Sequence, residues 1–150
     1  MGTHYQGTDE EVRALGAYIK LMRAADSVTR RMQTRLDANG LTMSQFGAME
    51  ALLHLGPLCQ RDLGAKLLKS TGNITMVVDN LEKRGLVRRE RSITDRRYIT
   101  VHLTDSGREL IAGVFPGHAR AITALMNALS PEEQDNLARL CRTLGASAAG

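Results

Sequence analysis

The feature that most constrains this chain is a change of period at Gly85. From Ser70 or Thr71 to Arg84 the apolar residues Ile74, Val77/Val78 and Leu81 return every three or four positions, the spacing of one helix face. After Gly85 apolar and polar residues alternate. Leu86-Val87-Arg88-Arg89-Glu90-Arg91 and Tyr98-Ile99-Thr100-Val101-His102-Leu103 read as two strands, with Ser92 to Arg97 as their turn. Ile99, Val101 and Leu103 face one way and Tyr98, Thr100 and His102 the other. A helix that ends at a glycine suited to a left-handed cap and runs directly into a hairpin leaves few arrangements for the rest of the chain.

The remaining segments are helical. Leu15, Ile19, Met22, Met32 and Leu36 predict a long amphipathic helix from Thr8 to about Leu36, ended by Asn39-Gly40. Thr42-Met43-Ser44-Gln45 has the form of a capping box and opens a helix through Phe46, Met49 and Leu52 that stops at Gly56-Pro57. A short helix is expected from about Gln60 to Leu68. Beyond the hairpin, Thr104 caps a second long helix, which Pro116 is expected to kink or to interrupt in its hydrogen bonding. Ser130-Pro131-Glu132-Glu133 restarts the chain, and Leu137, Leu140 and Leu144 share a face of the last helix. The expected fold class is mainly α with a small β-hairpin wing. Three helices, a recognition-like helix, a hairpin and two helices make the winged helix-turn-helix plan.

Charge is concentrated where the period changes. Lys83 to Arg97 holds seven basic residues against Glu90 and Asp95, a net of +5 in a chain of net +4. That concentration points to a polyanionic partner more sharply than overall basicity does. The helix before the hairpin begins with small polar residues, Thr71-Gly72-Asn73, with Thr75 and Met76 behind them. Such a first turn suits the major groove of double-stranded DNA, while Arg96 and Arg97 at the hairpin turn can reach the adjacent minor groove. Arg88, Arg89 and Arg91 can reach phosphates where they point outward. Asp95 reads as the structural member of its turn: its carboxylate can accept from the turn backbone and from an arginine. Arg96 is the residue expected in the groove, and Arg97 is equally suited to bracing Asp95 or holding a phosphate.

Other functions find little support. At 150 residues and 43% hydrophobic content the chain is expected to form one domain, or one domain completed by a partner. Only 3% of residues are aromatic, so stacking platforms for single strands are not expected. No apolar run approaches the roughly 20 residues that span a bilayer, and the N-terminus lacks a signal-peptide pattern, so a cytoplasmic protein is expected. Cys59 and Cys141 form no CxxC pair, and the four histidines form no metal-ligand spacing. No phosphate-loop, dinucleotide-binding, zinc-protease or serine-hydrolase motif is present, so an enzyme and a cofactor are not expected.

The stretch from Leu63 to Leu103 resembles the core of the MarR (multiple-antibiotic-resistance regulator) family. The markers are Leu63, Leu67, Ser70, Thr75, Leu81-Glu82-Lys83-Arg84-Gly85-Leu86-Val87 and Asp95-Arg96-Arg97, with Leu41-Thr42-Met43-Ser44-Gln45 upstream. The resemblance implies a homodimeric transcriptional regulator, usually a repressor that leaves a pseudo-palindromic operator when a small molecule or oxidant binds. It implies a single domain over 1–150, with the DNA-binding region at 42–103 and dimerisation helices at 8–37 and 104–146. Carried across, Ser70, Thr71, Asn73, Thr75 and Met76 would meet the major groove and Arg96 the minor groove. Met76 and Asn80 depart from the family pattern: Met76 stands where the family often has Arg, so direct guanine readout from this helix is expected to be reduced.

The sensor is less defined. Met22, Phe46, Met49, His54 and His118 are candidates to line a ligand crevice suited to a phenolic or other aromatic anion. Cys59 stands where relatives place an N-cap Ser or Thr, beside Arg61, a setting that would favour a thiolate and make redox sensing conceivable. A non-specific architectural winged helix is the competing reading from another class.

Overall fold

The computed structural model describes residues 2–67 and 71–149, with backbone only at Thr71 and Gly72. Its elements in chain order are α1 (Asp9–Asp37), α2 (Met43–Leu55), β1 (Leu58–Cys59), α3 (Gln60–Lys66), α4 (Thr71–Lys83), β2 (Val87–Arg91), β3 (Ile99–Leu103), α5 (Asp105–Met126) and α6 (Pro131–Ala149). This is the mainly helical fold with a small β-wing that the periodicity implies.

Helix ends follow the local chemistry. Thr42 Oγ1 accepts from the Gln45 amide at 3.1 Å and Gln45 Oε1 accepts from the Thr42 amide at 3.2 Å, so the capping box of α2 is closed both ways. Thr8 with Glu11, and Ser130 with Glu133, make the same reciprocal pair at the starts of α1 and α6. α4 ends as expected: Gly85 has φ +71°, its amide donates to the Glu82 carbonyl, and the Leu86 amide donates to the Leu81 carbonyl. Only a residue tolerant of positive φ closes that left-handed cap without strain.

α4 buries Ile74, Val78 and Leu81, which join Leu36, Phe46, Met49, Leu52, Leu63, Val87, Val101 and Ile111 in one core. That core lies under α2, α3 and α4 and is closed by the sheet and by α5. The hairpin pairs antiparallel, with Val87 opposite Leu103, Arg89 opposite Val101 and Arg91 opposite Ile99. Val101 faces the core, as its place in the alternation predicts.

One feature differs from the sequence reading. Leu58 and Cys59 form a third strand, so the sheet order is β1-β3-β2, with Leu58 opposite Val101 and Cys59 opposite Thr100. Two residues carry no alternation, and their pairing is a tertiary fact. α5 runs through Pro116 as one helix, and the proline, having no N–H, omits one hydrogen bond of the ladder as expected. The expected extension of α3 to Leu68 lies outside the described residues.

α5 is tied to the wing by a close approach that only glycine allows. The Thr104 amide donates to the Leu86 carbonyl and Thr104 Oγ1 donates to the Gly85 carbonyl at 2.6 Å. One turn on, a Cβ at Gly107 would stand 1.9 Å from that same Leu86 oxygen, a clash with backbone that no rotamer relieves. The root of the wing and the start of α5 are therefore packed backbone against backbone.

α6 is different. None of its residues is buried; Leu137, Leu140 and Leu144 remain exposed, as do Tyr18 and Met22 on α1. An apolar groove of about 480 Å³ runs between these helices, lined by Ala14, Ala17, Tyr18, Leu21, Leu137, Leu140, Cys141 and Leu144.

Candidate nucleic-acid interface

The turn between β2 and β3 is wired from within. Its backbone closes through the Ser92 amide to the Tyr98 carbonyl at 3.0 Å and the Tyr98 amide to the Asp95 carbonyl at 3.1 Å. Asp95 then collects Arg97. The Arg97 amide and Nε each donate to Oδ1 at 3.0 Å, and Nη2 donates to Oδ2 at 2.9 Å. Arg97's side chain, together with its amide, holds the Asp95 carboxyl below the usual aspartate range. On the other side Arg91 Nη1 donates to the Arg96 carbonyl at 2.7 Å.

Arg91, Asp95 and Arg97 thus hold the loop's shape. Arg96 is exposed, and among the described residues its guanidinium has no hydrogen bond or ion pair. At the apex Ile93 is fully exposed. Of the two roles open to Arg97, the structure shows the brace.

The strands divide in the same way. Arg88 lies outward beside Glu90 at 3.2 Å, and Glu90 also meets His102 Nε2 at 3.1 Å across the ladder. Arg89 does not point outward, so the condition under which it was expected to reach a phosphate is not met. Its side chain is 20% exposed, with Nη2 2.6 Å from Asp79 Oδ1 and Nη1 3.1 Å from Glu82 Oε1. Position explains this: Arg89 is opposite Val101, the core-facing residue of β3, and so shares the inner face of the sheet. Gln60, Asp79 and Glu82 are therefore partners of Arg89 that sequence reasoning missed. The three-residue spacing of Asp79 and Glu82 on one helix face was the available signal.

On α4 the exposed face carries Asn73 and Met76, the latter 63% exposed. Thr75 is half-buried, and its Oγ1 accepts from Gln60 Nε2 at 3.2 Å. Asn73, Met76, Val77 and Asn80 line a groove of about 370 Å³ shared with Thr42, Ser44 and Gln45 at the start of α2. Ser70 lies outside the described residues, as does the side chain of Thr71.

The expected ligand-crevice residues pack differently. Phe46 and Met49 belong to the core. Phe46 lies against His118 with ring centroids 4.2 Å apart, and Phe115 meets His54 edge-on at 4.6 Å, so rings fill the space between α2 and α5. Met22 is exposed on α1 and takes no part in that stack. Burial lowers the His118 pKa, with Glu50 opposing and Arg35 adding, and among the described residues its buried Nδ1 has no hydrogen-bond partner. An open groove of about 360 Å³ lies elsewhere, between α1 and α5, lined by Arg31, Met32, Arg35, Ala121, Ala124 and Leu125. Cys59 occupies the N-cap of α3, and its side chain makes no capping hydrogen bond.

A helix with a small polar exposed face, set beside a basic hairpin with an outward arginine, defines a winged-helix DNA-binding protein. Residues 39–97 match the model of the MarR family. The HTH-type transcriptional regulator MhqR of Bacillus subtilis is 34% identical over 136 residues, covering 91% of this chain and 94% of that protein. The crystal structure of Sco3205, a MarR family transcriptional regulator from Streptomyces coelicolor in complex with DNA, superposes with a TM-score of 0.85 at 24% identity, covering 96% of this chain and 91% of that one. That of NadR in complex with 4-hydroxyphenylacetate superposes with a TM-score of 0.72 at 23% identity, covering 96% and 97%. The chain belongs to the MarR family of transcriptional regulators. Among the described residues no helix is long and apolar enough to cross a membrane.

The Asp95 brace has a direct test. Its folded pKa lies below the unfolded one, so the brace is fully present above the ordinary aspartate range and is lost only as pH falls through the depressed value. Carbon NMR of the Asp95 carboxyl should give a midpoint below the roughly 3.9 of a free aspartate. A midpoint at or above that value would mean that Arg97 is not held on it in solution.

Proposed function

We propose that the protein is a cytoplasmic homodimeric repressor that binds a pseudo-palindromic DNA operator and leaves it when an aromatic acid binds. One observation carries the DNA-contact assignment: the turn uses Arg91, Asp95 and Arg97 internally and leaves the exposed Arg96 guanidinium without a hydrogen bond or ion pair among the described residues. Arg96 enters the minor groove, and Asn73, Thr75 and Met76, with the first-turn residues Ser70, Thr71 and Gly72, lie along the major groove. With Met76 where a guanine-reading arginine would stand, base choice rests more on backbone contacts, groove shape and the wing. Arg96→Ala should weaken binding to a duplex selected by the wild-type protein from a random pool by about tenfold or more, with the dimer intact. Unchanged affinity would rule out the wing assignment.

The exposed leucine face of α6 and its groove with α1 support a second copy as the covering partner. A two-fold axis through these helices would set two α4 helices about one DNA turn apart, roughly 34 Å. Leu140→Glu should convert the dimer to a monomer in sedimentation velocity, because the charge would be desolvated in the interface. A dimer of unaltered stability would contradict the assignment.

For the effector, the groove holding Arg31 and Arg35 over Met32 and Leu125 supports an aromatic carboxylate, its ring on the apolar floor and its charge between the guanidinium groups. NadR, which shares the fold, is seen with such a compound. Added 4-hydroxyphenylacetate, used as a probe of this chemistry, should release the protein from the selected duplex, and Arg35→Ala should raise the concentration required by about tenfold. Release unaffected by Arg35→Ala would place the effector elsewhere.

A further inference from the structure

Arg89 makes more contacts than its place in a short strand requires. Its Nε donates to Gln60 Oε1 at 3.0 Å, Nη1 to Glu82 Oε1 at 3.1 Å, and Nη2 to the Thr75 carbonyl at 3.2 Å while lying 2.6 Å from Asp79 Oδ1. Its own amide donates to Glu82 Oε2 at 3.0 Å. Glu82 therefore grips both the backbone and the side chain of one residue. Gln60 is shared in turn: its Oε1 accepts from Arg89 while its Nε2 donates to Thr75 on α4.

These bonds join three elements at one point. β2 belongs to the wing, Thr75, Asp79 and Glu82 span two turns of the recognition helix, and Gln60 opens α3. A planar guanidinium with donors in fixed directions can satisfy such partners only at one relative setting of the strand and the helix. The hairpin has no other comparable polar tie to α4 among the hydrogen bonds and ion pairs of the described residues.

We infer that Arg89 is a positioning residue for DNA recognition: its clasp on α4 sets the separation and angle between wing and recognition helix. It thereby makes the minor-groove and major-groove contacts fit one duplex at the same time. This rests on the proposal that both elements touch DNA. Arg89 itself does not meet the DNA, and its effect is on the choice between sequences. A wing free to swing still meets phosphates, which are the same on every duplex, but it no longer holds Arg96 in register with the α4 contacts.

The charges of the cluster provide a discriminating variant. Glu82→Ala removes a negative charge from a DNA-facing region, so simple attraction to phosphates can only rise. Loss of affinity for one preferred sequence then reports positioning. Binding is measured on the duplex selected by the wild-type protein and on the same duplex with its base order scrambled, across a salt series.

For Glu82→Ala the ratio of the two affinities should fall by about tenfold, while binding to the scrambled duplex stays equal or tightens. Arg89→Lys keeps the charge but loses the fork, and it should give the same loss of ratio with an unchanged salt slope. A salt slope smaller by about one in Arg89→Lys would make Arg89 a phosphate contact and overturn the inference. Equal proportional losses on both duplexes, or a ratio that stays at the wild-type value, would overturn it as well. Arg96→Ala on the same duplexes separates the two readings. If it weakens binding while the Arg89 and Glu82 variants keep the ratio, only the inference fails; if it too changes nothing, the wing assignment fails first.

Discussion

Everything in the DNA-binding half depends on keeping the back of α4 out of water. Ile74, Val78 and Leu81 are almost completely buried, and burying each such side chain contributes about 1.5–3 kcal/mol. A helix of 13 residues is marginal by itself, so α4 exists because α2, α3 and the sheet cover it. Covering one face fixes which residues remain on the other. Asn73 and Met76 are presented outward as a consequence of where the leucine, isoleucine and valine must go. The wing follows from the same requirement, since Val87 and Val101 complete that core and their register decides which arginines face inward.

The charge cluster then divides by geometry. Seven basic residues between Lys83 and Arg97 look like one cationic patch when counted along the chain. In space Arg84 donates to the Gly40 carbonyl at 2.7 Å and ties α4 to the turn before α2. Arg89 clasps α4, Arg91 and Arg97 hold the turn, and Arg88 sits beside Glu90. Arg96 is the exposed arginine of the wing whose guanidinium has no hydrogen bond or ion pair among the described residues. Most of the local +5 is thus the material from which a rigid reading head is built, and fewer phosphate contacts follow than the count suggests.

What could be read in the sequence was what local chemistry decides. The capping pairs at Thr42 and Gln45, the left-handed Gly85, the change of period after it and the bracing role of Asp95 depend on neighbours within a few residues, and the structure agrees with each. What could not be read depends on contacts between distant segments. The strand at Leu58 and Cys59 exists only because β3 passes beside it, and Gly107 reveals its purpose only when the Leu86 carbonyl is seen beneath it. That Arg89 turns inward could not be read, because alternation within β2 does not say which face looks at α4. Nor does the sequence show that Phe46 lies against His118 while Phe115 meets the rings of both Phe46 and His54.

The central claim is that two rigid heads, each a recognition helix locked to its wing, read one two-fold site on DNA. Hydroxyl-radical footprinting of the wild-type protein on its selected duplex tests this most directly. The expected pattern is a pair of protected patches related by two-fold symmetry, their centres about one helical turn, roughly 34 Å, apart. Uniform protection along the duplex, or a single unpaired patch, would contradict it.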